Sequence, residues 1–175
     1  MRKLAIAYGI GRGSNLPDNE KPISLIAAAA QGGDGEAELI YGNYLTRSGH
    51  PEEGEGLMLK AAAKGVRDAH VVLGDHYYYE KSPLFDYKKA FYHYDIAARA
   101  GDTHSQVNLS YMYCFGDSPA TDGAAAWMWL LIADGTQLDV LRARYFAKPQ
   151  LTPAEIVDAE ARQRSGLISQ PIAID

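Results

Sequence analysis

Short apolar, mostly Ala-rich runs recur along this chain, and each is stopped by a glycine. The runs at 27–30, 61–63, 96–98 and 130–133 lead to Gly33, Gly65, Gly101 and Gly135, whose separations are 32, 36 and 34 residues. Without a Cβ, glycine takes the left-handed conformation that closes a helix, so each run reads as a helix C-terminus. A recurrence in the mid-thirties predicts stacked helix-turn-helix units. The fold class expected is all-α, an α-α solenoid or superhelix.

After the first three glycines the register repeats too. The fourth residue on is small (Ala37, Ala69, Ser105) and the eighth is Tyr41, Leu73 or Leu109. The ninth is small again (Gly42, Gly74, Ser110), and the twelfth is Leu45, Tyr77 or Tyr113. These offsets share one side of a helix, with the small residues where a neighbouring helix can come close. They predict the buried side of the first helix in each pair.

Helices are expected at 2–10, 22–31, 35–46, 52–64, 67–79, 85–100, 103–114, 122–133 and 137–146. The domain reading is one solenoid over 1–166: a partial repeat 1–33, repeats 34–65, 66–101 and 102–135, and terminal helices in 136–166, followed by a tail at 167–175. Thr152-Pro153-Ala154-Glu155 has the N-cap, the N1 proline and the capping-box Glu of a helix start. The helix it opens runs to about residue 164 and is polar except for Ala154, Val157 and Ala161. That stripe is expected to close the open end of the array.

The pattern resembles the Sel1-like repeat family, relatives of the tetratricopeptide repeat built from antiparallel helix pairs. The residues carrying the likeness are Ala69, Leu73, Gly74 and Tyr77, then Lys60-Ala61-Ala62 with Gly65, Gly11-Arg12-Gly13, and Ala126-Trp127. It covers roughly residues 2–147. Gly54 stands where the family has Ala in the second helix, and Leu57 and His93 replace its usual Trp. The resemblance implies a protein that binds another polypeptide and is not itself an enzyme. A β-lactamase-like hydrolase of the family's cysteine-rich branch is the alternative.

Composition narrows the classes. With 175 residues, 47% of them apolar and 22% charged, the chain is one domain's worth of ordinary globular protein. A net charge of −5 provides no basic stripe for phosphates, so neither nucleic acid nor membrane insertion is expected. Cys114 is the single cysteine and cannot form an internal disulfide, which argues against the cysteine-rich branch and fits a reducing compartment. A cytoplasmic location is expected, or a periplasmic one if a leader has been removed. Arg2 and Lys3 precede a short apolar run, but Gly9 and Gly11 interrupt it.

Catalytic chemistry is sparse. His70 and His76 are six residues apart, a spacing that does not aim both rings at one metal, and no Ser or Cys sits in a nucleophile context. His93 reads as a packing residue and Cys114 as a buried thiol. No cofactor, metal or catalytic residue is assigned.

What remains is a surface. Offsets 3, 7, 10 and 14 after each glycine point away from the packing side, and in stacked pairs they line the concave face. The partner-binding residues expected there are Asn43, Arg47, Asp68, Asp75, Tyr79, His104, Asn108, Tyr111, Phe115, Arg142 and Tyr145, joined by Glu36, Ile40, Val72 and Leu138. Aromatics, Arg and Asn among isolated apolar residues match protein-binding hot spots. The outer helices, with Lys88, Tyr92 and Trp129, are the competing face. The functional expectation is a scaffold or adaptor, a monomer or weak homodimer, for a protein or peptide partner. An immunity or secretion-associated role in bacteria is its sharper form.

Overall fold

A computed structural model of the protein describes residues 20–115, 122–133 and 135–165. The expected first helix at 2–10, its connection, the loop at 116–119 and the tail at 167–175 lie outside them. The described residues form nine α-helices and one 3₁₀ turn. They are α1 Glu20–Gln31, α2 Gly35–Arg47, α3 Pro51–Ala63, α4 Ala69–Tyr78, α5 Tyr87–Arg99, α6 Thr103–Phe115, α7 Gly123–Ile132, α8 Leu138–Ala147, the turn Lys148–Gln150 and α9 Pro153–Ser165. No strand occurs among the described residues. The chain divides into two compact units, Met1–Leu73 and Gly74–Asp175, with the division inside α4.

Aspartates open the helices. Asp34 accepts from the amides of Glu36 and Ala37 at 3.1 Å each, Asp86 from those of Lys88 and Lys89 at 2.9 and 3.1 Å, and Asp122 from that of Ala125 at 3.0 Å. Each satisfies donors that the first turn leaves without an intrahelical acceptor. Gly33, Gly65 and Gly101 close α1, α3 and α5 with φ of 84°, 75° and 90°. The fourth closure differs from the expected one. Gly135 has no left-handed φ, and α7 is finished by Arg144, which donates from Nε and Nη2 to the Leu130 carbonyl (2.8 and 2.5 Å) and from Nη2 to that of Ala133 (3.3 Å).

In the first unit α1 packs on α2 and α2 on α3. Ile26, Ala30 and Ala37 form a buried cluster with Ile40 and Tyr41 against it. The closest approach is at Gly42 and Gly54, where a Cβ on either residue would lie within 2.7 Å of the other's carbonyl oxygen. Glycine at 54, where the family pattern has Ala, therefore answers the glycine across from it. Lys64, at the end of α3, donates to the Gly33 carbonyl at 2.9 Å and to both carboxylate oxygens of buried Glu38 at 2.6 and 2.7 Å.

In the second unit α5 packs on α6 and α6 on α7, while α8 meets both α6 and α7 and α9 lies on α7. Ala124 to Leu130 are buried throughout, including Trp127 and Trp129, as expected of a helix with neighbours on several sides. Gln106 holds the register place of Glu38 and donates to the Ala98 carbonyl at 3.1 Å. Both places hold a buried polar group, but Glu38 pairs with Lys64 of the following helix whereas Gln106 reaches back to the preceding one.

The packing register matches the sequence reading. Eleven of the twelve positions, from Ala37 to Tyr113, are buried, and Tyr41 is half-buried. The last helix departs from it. Its capping box forms, with the Thr152 amide and hydroxyl both 2.7 Å from Glu155 Oε2, but Ala154, Val157 and Ala161 face solvent and Ala159 is the residue buried. An ion pair from Arg162 to Asp122 at 2.8 Å and the contact of Glu155 with Gly123 fix this rotation. The apolar stripe is too narrow to outweigh them.

Candidate functional site

The expected partner face is accessible throughout the described residues. Of the residues at offsets 3, 7, 10 and 14 whose side chains are described, from Glu36 to Tyr145, none is buried. In the first unit Asn43 is half-buried, and Arg47 and Asp68 are exposed. In the second unit Asp75, Tyr79, His104, Phe115, Arg142 and Tyr145 are exposed, and Asn108 and Tyr111 are half-buried.

Several of these residues are brought together in the second unit. Asp75 Oδ1, on α4, accepts from the hydroxyl of Tyr94, on α5, at 2.7 Å, and His104 Nε2, on α6, lies 2.8 Å from the same oxygen. Asn108 Nδ2, one turn along α6, is 2.9 Å from His104 Nε2. The two contacts call for opposite roles of one nitrogen. A protonated Nε2 donates to Asp75, whereas a bare Nε2 accepts from Asn108.

The electrostatics favour the charged ring. The hydrogen bond to Asp75 raises the His104 pKa above its ordinary value; burial opposes it, and the charges of Asp75, Asp102 and Asp139 add to the rise. Tyr94 is buried, and its phenol is held firmly protonated by that burial and by the Asp75 carboxylate. It fixes Asp75 from below and is the participant that the sequence reading missed. Nothing in the chain's local pattern links positions 75 and 94, because the two meet only when α4 packs on α5.

Beside this network Tyr111 stacks on Phe115, with ring centroids 6.1 Å apart and planes 21° from parallel. Burial, then the charges of Asp139 and Cys114, push the Tyr111 phenol up. Arg142 lies 3.8 Å from Asp139 on α8, and Tyr145 is 77% exposed. The arrangement offers hydrogen-bonding groups fixed in place next to open aromatic faces.

The competing outer face is smaller than expected. Lys88 and Tyr92 are exposed, but Trp129 is fully buried, because α6, α8 and α9 enclose α7. His93 is buried and stacks on Tyr77 at 5.4 Å, a packing role. Cys114 is half-buried, and burial followed by the Glu155 charge raises its thiol pKa. Among the described residues no group of three or more His, Cys, Asp or Glu could hold a metal, and no helix is long and apolar enough to cross a membrane.

No family model matches this chain, and no curated protein does. Among solved structures it is similar to the crystal structure of a protective antigen present in uropathogenic Escherichia coli strains and displaying an SLR (Sel1-like repeat) fold. The TM-score is 0.77 at 23% identity over 99% of this chain, which spans 41% of that one. The fold of this chain, an all-α array of helix pairs, is the Sel1-like repeat fold.

Proposed function

We propose that this chain is a non-enzymatic interaction scaffold that binds a polypeptide on the side of its first helices that points away from their packing register, the concave face expected of stacked pairs. An adaptor or immunity partner of a secreted toxin is the more specific form of that role. The observation that carries the reading is the two-sidedness of α6. Its register residues Ser105, Leu109, Ser110 and Tyr113 are buried, while His104, Asn108, Tyr111 and Phe115 on the other side stay accessible and partly pre-arranged. Groups already held by the fold lose little freedom on binding, which is the cost that most limits polypeptide recognition. In the first unit Asn43, Arg47 and Asp68 hold the same register places and are assigned the same role.

The test is affinity capture with the immobilised intact chain, identification of the captured polypeptide by mass spectrometry, and direct titration with it. Asn108→Ala and Tyr111→Ala are expected to keep the fold and weaken binding, Tyr111→Ala by about 2 kcal/mol or more. Tyr92→Ala, on the outer face, is expected to leave binding unchanged. Full affinity in both α6 variants with loss in Tyr92→Ala moves the site to the outer helices. Asp75→Lys is a poor probe, because it strips the buried Tyr94 hydroxyl of its acceptor as well as changing the surface.

A further inference from the structure

Two groups compete for one ring nitrogen on the accessible side of α6. Asp75 Oδ1 lies 2.8 Å from His104 Nε2 and the Asn108 amide 2.9 Å from it, while Tyr94 donates to the same Asp75 oxygen at 2.7 Å. A carboxylate only accepts, so its contact requires a proton on Nε2. An asparagine amide can meet either form of the ring, because its oxygen and nitrogen ends have nearly the same shape and a half-turn exchanges them. Asn108 is therefore the member that can give way.

The strengths of the two bonds point the same way. A hydrogen bond to an ionised acceptor is roughly twice as strong as one between neutral groups. A bare Nε2 would exchange the bond to Asp75 for one from Asn108, and would aim its lone pair at a carboxylate oxygen 2.8 Å away. The other groups that face the ring add to the preference. Tyr94 of α5 keeps its phenolic proton, and Asp102, in the turn before α6, and Asp139 of α8, itself 3.8 Å from Arg142, both bring negative charge. Deprotonation of the charged ring then takes the Nδ1 proton and leaves Nε2–H in place.

We propose that His104 is a positioning residue for Asn108: Nε2 keeps a proton whether the ring is charged or neutral, Asn108 turns its carbonyl oxygen to that proton, and its NH2 group points outward as a fixed donor. On the partner-binding reading, on which this step rests, the donor meets a carbonyl of the partner's backbone. A partner carboxylate is disfavoured there by Asp75, Asp102 and Asp139, whose charges converge on His104. The carbonyls inside a partner helix are already used by that helix. The segment bound is therefore extended. Tyr111, three residues along α6 from Asn108 and stacked on Phe115, offers an aromatic face beside it.

Nitrogen-15 NMR of the intact chain, labelled at histidine and asparagine, tests the placement of the proton without any partner. Above the His104 transition the neutral ring is expected in its Nε2–H form, and a neutral ring carrying its proton on Nδ1 overturns the proposal. N-acetyl hexaproline dimethylamide tests the direction of the donor, because it is extended and has carbonyls to accept with but no N–H to give. It is expected to shift the Asn108 side-chain amide and the Tyr111 ring resonances. Asn108→Asp, which keeps the size of the side chain and removes the donor, should retain the helical far-UV spectrum and bind this probe about fivefold or more weakly. A probe that moves neither resonance, or that binds Asn108→Asp equally well, overturns the outward donor without touching the scaffold reading, which stands or falls on the capture experiment.

Discussion

Gly74 and Tyr94 occupy one space: a Cβ on Gly74 would lie 2.6 Å from both Cδ1 and Cε1 of the Tyr94 ring. The ring fills the place a side chain would take, and its hydroxyl then reaches Asp75, one residue further along α4. Packing on the inner side and an oriented carboxylate on the outer side thus depend on the same absence of a methyl group. Gly74→Ala is expected to cost about 1–3 kcal/mol by overpacking in a denaturant titration. In the variant the His104 titration should also move toward that of a free imidazole.

Leu73 is fully buried at the eighth place of the register. Leu73→Ala is expected to lower stability by about 2–5 kcal/mol, through lost transfer free energy and the cavity left behind. A loss under about 1 kcal/mol in the same titration would mean that this position does not pack as the register requires.

His104 makes stability depend on pH in a definite sense. Its pKa is raised above 6.5, first by the hydrogen bond to Asp75, so the native state holds the proton more tightly than the unfolded chain does. The contribution is complete below the unfolded value and is lost as pH rises through the raised folded one. The denaturation midpoint should fall across that window in the native sequence and lose this component in His104→Gln. A proton NMR titration should show His104 above 6.5, returning toward it in Asp75→Asn.

Arg144 ends α7 in place of a left-handed glycine. Arg144→Met keeps much of the apolar stem but leaves the Leu130 and Ala133 carbonyls without that donor. The expected cost is about 1.5–3 kcal/mol, the range for hydrogen bonds to a charged group. Amide hydrogen exchange should quicken first in the last turn of α7.

Local signals were legible and non-local ones were not. A closing glycine, the capping box at Thr152 and small residues at fixed offsets act within a few positions, and they placed the helices and their buried sides. The direction of the open face followed from the same period. Closure of α7 could not be read, because Arg144 lies in the next helix and Gly135 offered a plausible substitute. The rotation of α9 was misread because its apolar stripe is visible in the chain, whereas the Arg162–Asp122 pair spans 40 residues. The Tyr94–Asp75–His104 network was hidden for the same reason: three helices contribute one member each.

Lys64 gives the first unit a property that no single helix has. Its ammonium group binds the end of α1 at Gly33 and the first turn of α2 at Glu38, while its backbone amide donates to the carbonyls that end α3. In a linear array, stability is the sum of weak individual units and the couplings between neighbours. A residue tied to three helix ends adds to the coupling and not to any one unit, so fraying of α1 removes a contact of the residue that ends α3. Replacing Lys64 with Met should therefore broaden the unfolding transition more than it lowers its midpoint, as the first helix begins to melt on its own.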